Sequence, residues 1–126
     1  MSFTVEVPVP PSLNNAFFNR RQGGRVKTPA YRKWLDAAGW EIKAQVPAAS
    51  RVAGPFIVSI NFPSFMNGDI DNRVKGIVDA LVTSGRVDDD RFMEEMRVRR
   101  RHKGERVRVY VKADRTAEDY SPEAAA

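Results

Sequence analysis

Residues 56–62 place the tightest constraint on the fold. Phe56, Val58, Ile60 and Phe62 alternate with Ile57, Ser59 and Asn61, the period of two that sends successive side chains to opposite faces of a strand. One face this apolar requires neighbouring strands and a second layer to cover it. Two stretches supply helical spacing for that layer. In the first, Thr28 stands as a cap, Pro29 opens the helix, and Tyr31, Trp34, Leu35, Ala38, Ile42 and Val46 form one stripe until Pro47 ends it. In the second, Val74, Ile77, Val78, Leu81 and Val82 form a stripe within Asn72 to Ser84, and Gly85 provides a left-handed stop.

Three further strands are expected. Phe3, Val5 and Val7 alternate with Thr4 and Glu6 until Pro8, Pro10 and Pro11 interrupt the ladder. Met96 and Val98 alternate with Arg97 and Arg99, and Val107, Val109 and Val111 alternate with Arg106, Arg108 and Tyr110. His102-Lys103-Gly104-Glu105 between them reads as a turn, so this pair is expected to form a hairpin. The order β-α-β-α-β-β predicts a single small α+β domain over residues 1–113, a mixed sheet with two helices packed on one face. Strand order does not follow from the pattern. Ser12 to Thr28 reads as a long loop, and residues 114–126, polar and then alanine-rich, read as a flexible C-terminal tail.

The chain of 126 residues fits one domain, and its net charge of +5 with a pI near 9.9 favours polyanionic partners, nucleic acid above all. Cysteine is absent, which excludes disulfide frameworks and thiolate zinc sites. One histidine, His102, makes no zinc site, and no Ser/His/Asp constellation or Gly-Lys-Ser/Thr phosphate loop is present. The N-terminus has no signal-peptide character and no apolar run approaches bilayer length, so a soluble intracellular protein with no membrane partner is expected.

Carboxylates gather around the second helix. Gly68-Asp69-Ile70-Asp71-Asn72-Arg73-Val74-Lys75 opens it, and Gly85-Arg86-Val87-Asp88-Asp89-Asp90 follows its end. Like charges crowded within a few ångströms need a counter-charge, and hard oxygen ligands suit magnesium. A plainer reading exists: Asp71 as helix cap, Asp69 as a solvated turn residue. Asp71, Lys75 and Asp79 recur at intervals of four and share one helix face, either as a surface ion-pair ladder or as a cation placed beside a metal-bound phosphate. The ends of a helix of about four turns lie roughly 20 Å apart. Asp88-Asp89-Asp90 therefore joins Asp69 only if the chain doubles back or a second subunit contributes. Two basic segments accompany the acids. Arg20, Arg21, Arg25 and Lys27 surround Phe17 and Phe18 in the loop, where the rings either stack on bases or anchor the loop to the core. Arg97, Arg99, Arg100, Arg101, Lys103, Arg106 and Arg108 line the expected hairpin, either as a solvated face whose edge charges block aggregation or, as their density favours, as a backbone-binding surface.

Asp69-Ile70-Asp71-Asn72-Arg73-Val74-Lys75, then Asp79-Ala80-Leu81, Gly85 and Asp88-Asp89, resembles the signature of RusA-type Holliday junction resolvases. Pro10-Pro11-Ser12-Leu13-Asn14-Asn15 and Tyr31-Arg32 extend the likeness, which runs roughly from Val5 to Val111. The resemblance implies a homodimeric, magnesium-dependent endonuclease that cuts four-way DNA junctions, of a kind often encoded by phages and prophages and acting in the cytoplasm of a bacterial or phage-infected host cell. By position, Asp69, Asp71 and Asp89 match the family's metal-binding catalytic carboxylates and Lys75 its essential lysine. An aspartate triplet replaces the family's pair, so Asp88 and Asp90 stand as alternates for Asp89. Asp79 matches a recurrent position with a structural role. Asn14, Asn15, Arg20, Arg21, Arg25, Lys27, Arg73, Arg97, Arg99 and Arg101 are the expected DNA-binding residues. A non-catalytic DNA-binding module, or a nuclease for flaps or forks, is the alternative.

Overall fold

The structure is a computed structural model that describes residues 1–116. Strand β1 spans Ser2–Val7, and a single helical turn, α1, spans Leu13–Ala16. A short hairpin follows, β2 (Phe17–Asn19) with β3 (Arg25–Lys27). Helix α2 spans Pro29–Gln45, β4 Phe56–Pro63, α3 Val74–Thr83, β5 Met93–His102 and β6 Val107–Ala113.

The main sheet has the order β1-β6-β4-β5. β6 runs antiparallel to both β1 and β4, while β4 and β5 are parallel. The hairpin expected between β5 and β6 is therefore absent: β4 lies between them. Two forces explain the difference. β4 has the most apolar face and gains most from neighbours on both sides, whereas β5 is charged on both faces and belongs at an edge. The helical crossover α3 also delivers β5 parallel to β4, as in any β-α-β unit. The connection from His102 to Val107 then has only to step across one strand.

Phe3, Val5, Val7, Phe56, Val58, Ile60, Phe62, Val107, Val109 and Val111 all point to one side of the sheet and are buried. Helices α2 and α3 cover that side through Tyr31, Trp34, Ala38 and Ile42 from the first, and Ile77, Ala80 and Leu81 from the second. This is the expected α+β layering. Thr28 caps α2 as its sequence implies, its side chain accepting from the Tyr31 backbone N–H at 3.2 Å. The two helices approach closely at Gly76, where a Cβ would stand 3.0 Å from Pro10 Cβ and 3.4 Å from the Trp34 ring.

The segment expected to be a long loop is structured. Gly23 and Gly24, with φ of +90° and +86°, form the tip of the β2–β3 hairpin, a backbone region open to glycine without strain. At the other end, residues 114–116 still belong to the fold: Asp114 is buried and its backbone N–H donates to the Pro55 carbonyl at 2.9 Å. The rest of the expected tail, 117–126, lies outside the described residues. No helix among the described residues is long and apolar enough to cross a membrane.

Candidate active site

The chain reaches α3 through a turn whose Gly68 has φ +91°. Arg100 on β5 donates to the carbonyls of Met66 and Gly68, so an arginine of the edge strand straps this turn in place. Asp71–Arg73 then form one 3-10 turn before α3 proper begins at Val74. Asp71 is not a helix cap. No side chain caps either helical start, and Asp71 lies exposed within the 3-10 turn, its carboxylate free of that duty. Arg73 turns inward and donates to the Pro10 carbonyl at 2.6 Å, tying the proline-rich segment to α3.

Asp79 sits at the centre of the arrangement. Its carboxylate accepts a 2.5 Å hydrogen bond from the Tyr31 hydroxyl and lies 3.4 Å from Lys75 Nζ. Tyr31 is buried, stacked on Trp34 at 6.2 Å and tilted against Phe17 at 5.3 Å. Burial, then the Asp79 hydrogen bond and charge, push its hydroxyl far above the ordinary phenol value. A rigid core tyrosine thus fixes the aspartate that flanks Lys75.

The aspartate triplet divides into different roles. Asp88 is engaged: it pairs with Arg51 and accepts from the Gly54 N–H at 2.9 Å. Asp89 caps the 3-10 turn Asp90–Phe92, accepting from the Arg91 N–H at 3.3 Å. The neighbouring Asp89 and Asp90 carboxyls shift in opposite senses: hydrogen bonding between them draws Asp89 below the usual carboxylate range and raises Asp90 above it.

Two adjoining cavities collect these groups. One, of about 410 Å³, is lined by Val74, Lys75, Val78, Asp79, Asp90, Arg91, Met93 and Met96. The other, of about 360 Å³, adds Phe17, Lys27, Leu35 and Asp89 to the same Lys75, Asp79 and Asp90. The chain after Gly85 does double back, so Asp89 and Asp90, but not Asp88, meet the Lys75 face of α3. Asp69 and Asp71 line neither cavity, and among the described residues no group of three or more His, Cys, Asp or Glu is placed to hold a metal ion.

The basic residues fall into two groups. The β2–β3 hairpin carries Arg20, Arg21, Arg25 and Lys27, all exposed, and Lys27 enters the wall of the second cavity. Asn14 and Asn15 lie exposed on α1, and the Asn15 carbonyl accepts from Thr28 Oγ1 at 2.8 Å. The two phenylalanines separate: Phe17 packs under Arg25, whose guanidinium lies 4.4 Å from the ring centroid, while Phe18 is exposed. On the far side, Arg97, Arg99 and Arg101 are exposed on β5. The helical stripe marks Tyr31 only as core and gives no sign of its hydroxyl's bond to Asp79. Nothing local in the sequence signals Lys27's place beside the carboxylates.

Residues 8–113 match the family model of the endodeoxyribonuclease RusA. The chain belongs to the RusA endodeoxyribonuclease family. It is 31% identical over 96 residues to the crossover junction endodeoxyribonuclease RusA of Enterobacteria phage HK97, an alignment covering 73% of this chain and 77% of that protein. As a RusA-family member it is an endodeoxyribonuclease, and the cavity around Lys75, Asp79, Asp89 and Asp90 lies within the matched residues.

Proposed function

We propose that this RusA-family endodeoxyribonuclease resolves four-way DNA junctions by magnesium-assisted phosphodiester hydrolysis, acting as a homodimer in recombination and repair. The observation that carries the reading is the meeting of Lys75 with the Asp89–Asp90 pair in one cavity wall, beneath the basic β2–β3 hairpin. The donors for a divalent cation are hard carboxylate oxygens, exposed on Asp69 and Asp71 and beside Lys75 on Asp89 and Asp90, and among the described residues one chain brings no three of them together. Asp69, Asp71 and Asp89 would hold it, with Asp90 as the alternate to Asp89. Asp88 is the weaker alternate, because Arg51 and Gly54 already occupy its oxygens. When bound, magnesium supplies a hydroxide nucleophile near neutral pH and offsets charge on the phosphate.

The chain's own groups do the rest. Lys75 places an ammonium where negative charge develops on a phosphate oxygen or leaving group. Asp79, held by Tyr31, fixes the direction of that ammonium. Arg20, Arg21, Arg25 and Lys27 bind phosphates on one side of the cavity, and Arg97, Arg99 and Arg101 extend the basic surface along β5. A junction offers two strands related by a two-fold axis, which calls for two sites related in the same way.

The test incubates the protein with a labelled four-way junction, a fork, a flap and a linear duplex, each with magnesium or EDTA. Symmetric nicks in the junction, lost in EDTA, are expected. Asp71→Asn should lose cleavage while keeping or tightening junction binding, since one negative charge near phosphate disappears. Preferential cutting of forks or flaps, or normal cleavage by Asp71→Asn, would overturn the reading.

A further inference from the structure

The two edges of the main sheet are built differently. At β1 the C-terminal end of the outer edge is covered by α2: the Gln45 side-chain amide accepts from the Glu6 N–H at 2.9 Å and donates to the Glu6 carbonyl at 2.8 Å. Trp34 Nε1 closes the next position by donating to the Pro8 carbonyl at 3.0 Å. β5, the opposite edge, is ten residues long, and none of its residues is buried. A long edge of this kind pairs readily with another strand unless something blocks it. Met96 adds an apolar side chain that is 40% exposed and lines the larger cavity with Val74 and Val78.

The charges of β5 name the strand it fits. Acids come first, Glu94 and Glu95, and bases last, Arg97 and Arg99 to Arg101. Such a strand complements itself when reversed. The regular part of the ladder with β4 runs from Glu95 to Arg99, between two register shifts, and its centre is Arg97.

We infer that β5 is the surface through which two copies of this chain associate, pairing antiparallel about a two-fold axis at Arg97. A two-fold axis perpendicular to the sheet sets each residue opposite one on the same face. Glu95 then faces Arg99 of the second copy twice over, and Met96 faces Val98 twice over, on the helix side of the sheet. Opposite charges and apolar pairs directly across strands are the favourable cases. The one like-charge meeting, Arg97 with Arg97, is softened because each Arg97 already lies 3.0 Å from Glu95 of its own strand. The result is a continuous eight-stranded sheet, with the two cavities around Lys75 and Asp79 brought to either side of the axis. The inference deepens the junction reading, which requires two sites, by naming the surface that joins them.

A charge-swap experiment on DNA-free protein tests it. Wild type should show a solution mass of twice 14.2 kDa by light scattering over a dilution series. Glu95→Arg alone and Arg99→Glu alone should each fall to 14.2 kDa with an unchanged far-UV dichroism spectrum. Mixing the two variants should restore the doubled mass. In the mixed pair the arginine introduced at position 95 of one copy faces the glutamate introduced at position 99 of the other, and the remaining native Arg99 faces the remaining native Glu95. A monomeric wild type, single variants that keep the doubled mass, or a mixture that stays monomeric would each overturn the proposal. So would a monomer whose Glu95→Arg variant merely binds duplex more tightly, for then the edge takes DNA. Mass and cleavage are read separately: a β5-paired dimer that cuts nothing refutes the junction reading alone, and a junction-cutting dimer indifferent to both swaps refutes the interface alone.

Discussion

Tyr31→Phe isolates the hydrogen bond that ties the core to the candidate active site. The substitution removes one oxygen and keeps the ring, so the stack on Trp34 and the contact with Phe17 persist. What is lost is a 2.5 Å bond from a buried hydroxyl to a carboxylate. Hydrogen bonds to charged groups contribute about 1.5–3 kcal/mol. The Asp79 side chain is 22% exposed and retains Lys75 at 3.4 Å, so water can partly replace the hydroxyl and the lower half of that range applies. In a chain of 126 residues such a loss lowers the melting temperature by roughly 5–10 °C. The pH dependence supplies a second check. The Tyr31 hydroxyl titrates far above its unfolded value near 10, so its stabilisation is fully present below pH ~10. Above that, the unfolded state releases the proton, the native state keeps it, and stability falls as pH rises. Thermal melts followed by circular dichroism at pH 7 and near pH 11 should show the gap between wild type and Tyr31→Phe shrinking at the higher pH. A variant that melts within a degree of wild type at pH 7, or a gap that persists above pH 10, would refute the assignment.

Gly76→Val should lower stability by about 1–3 kcal/mol, because its Cβ begins 3.0 Å from Pro10 and the added methyls must displace Trp34 or Tyr31; a shifted urea midpoint measures this, and Gly76→Ala should lose much less. Asp88→Ala and Asp89→Ala should separate folding from chemistry. The first orphans the Gly54 N–H and costs about 1–2 kcal/mol in urea unfolding while leaving junction cleavage per folded molecule intact. The second loses cleavage at a stability cost of a few tenths of a kcal/mol.

Period and spacing alone determined much of this protein. The β4 alternation, the Thr28-capped stripe of α2 and the α3 stripe are local patterns, because a residue's side of a strand or helix is set by its neighbours in sequence. The helical spacing of Lys75 and Asp79 belongs to the same class, and so does the family likeness carried by residues 69–89. Partnership between distant segments was decided only in three dimensions. Alternation marks β5 and β6 as strands without saying that β4 intervenes; that placement follows from which strand gains most by being covered on both sides. The fates of Asp88, Asp89 and Asp90 diverge because Arg51 and Gly54 reach one of them and the Lys75 cavity receives the others. Tyr31 reads as core from its stripe, yet its hydroxyl meets Asp79 across 48 positions of sequence. Such contacts depend on how α2 and α3 cross, and that crossing is set by the close approach at Gly76.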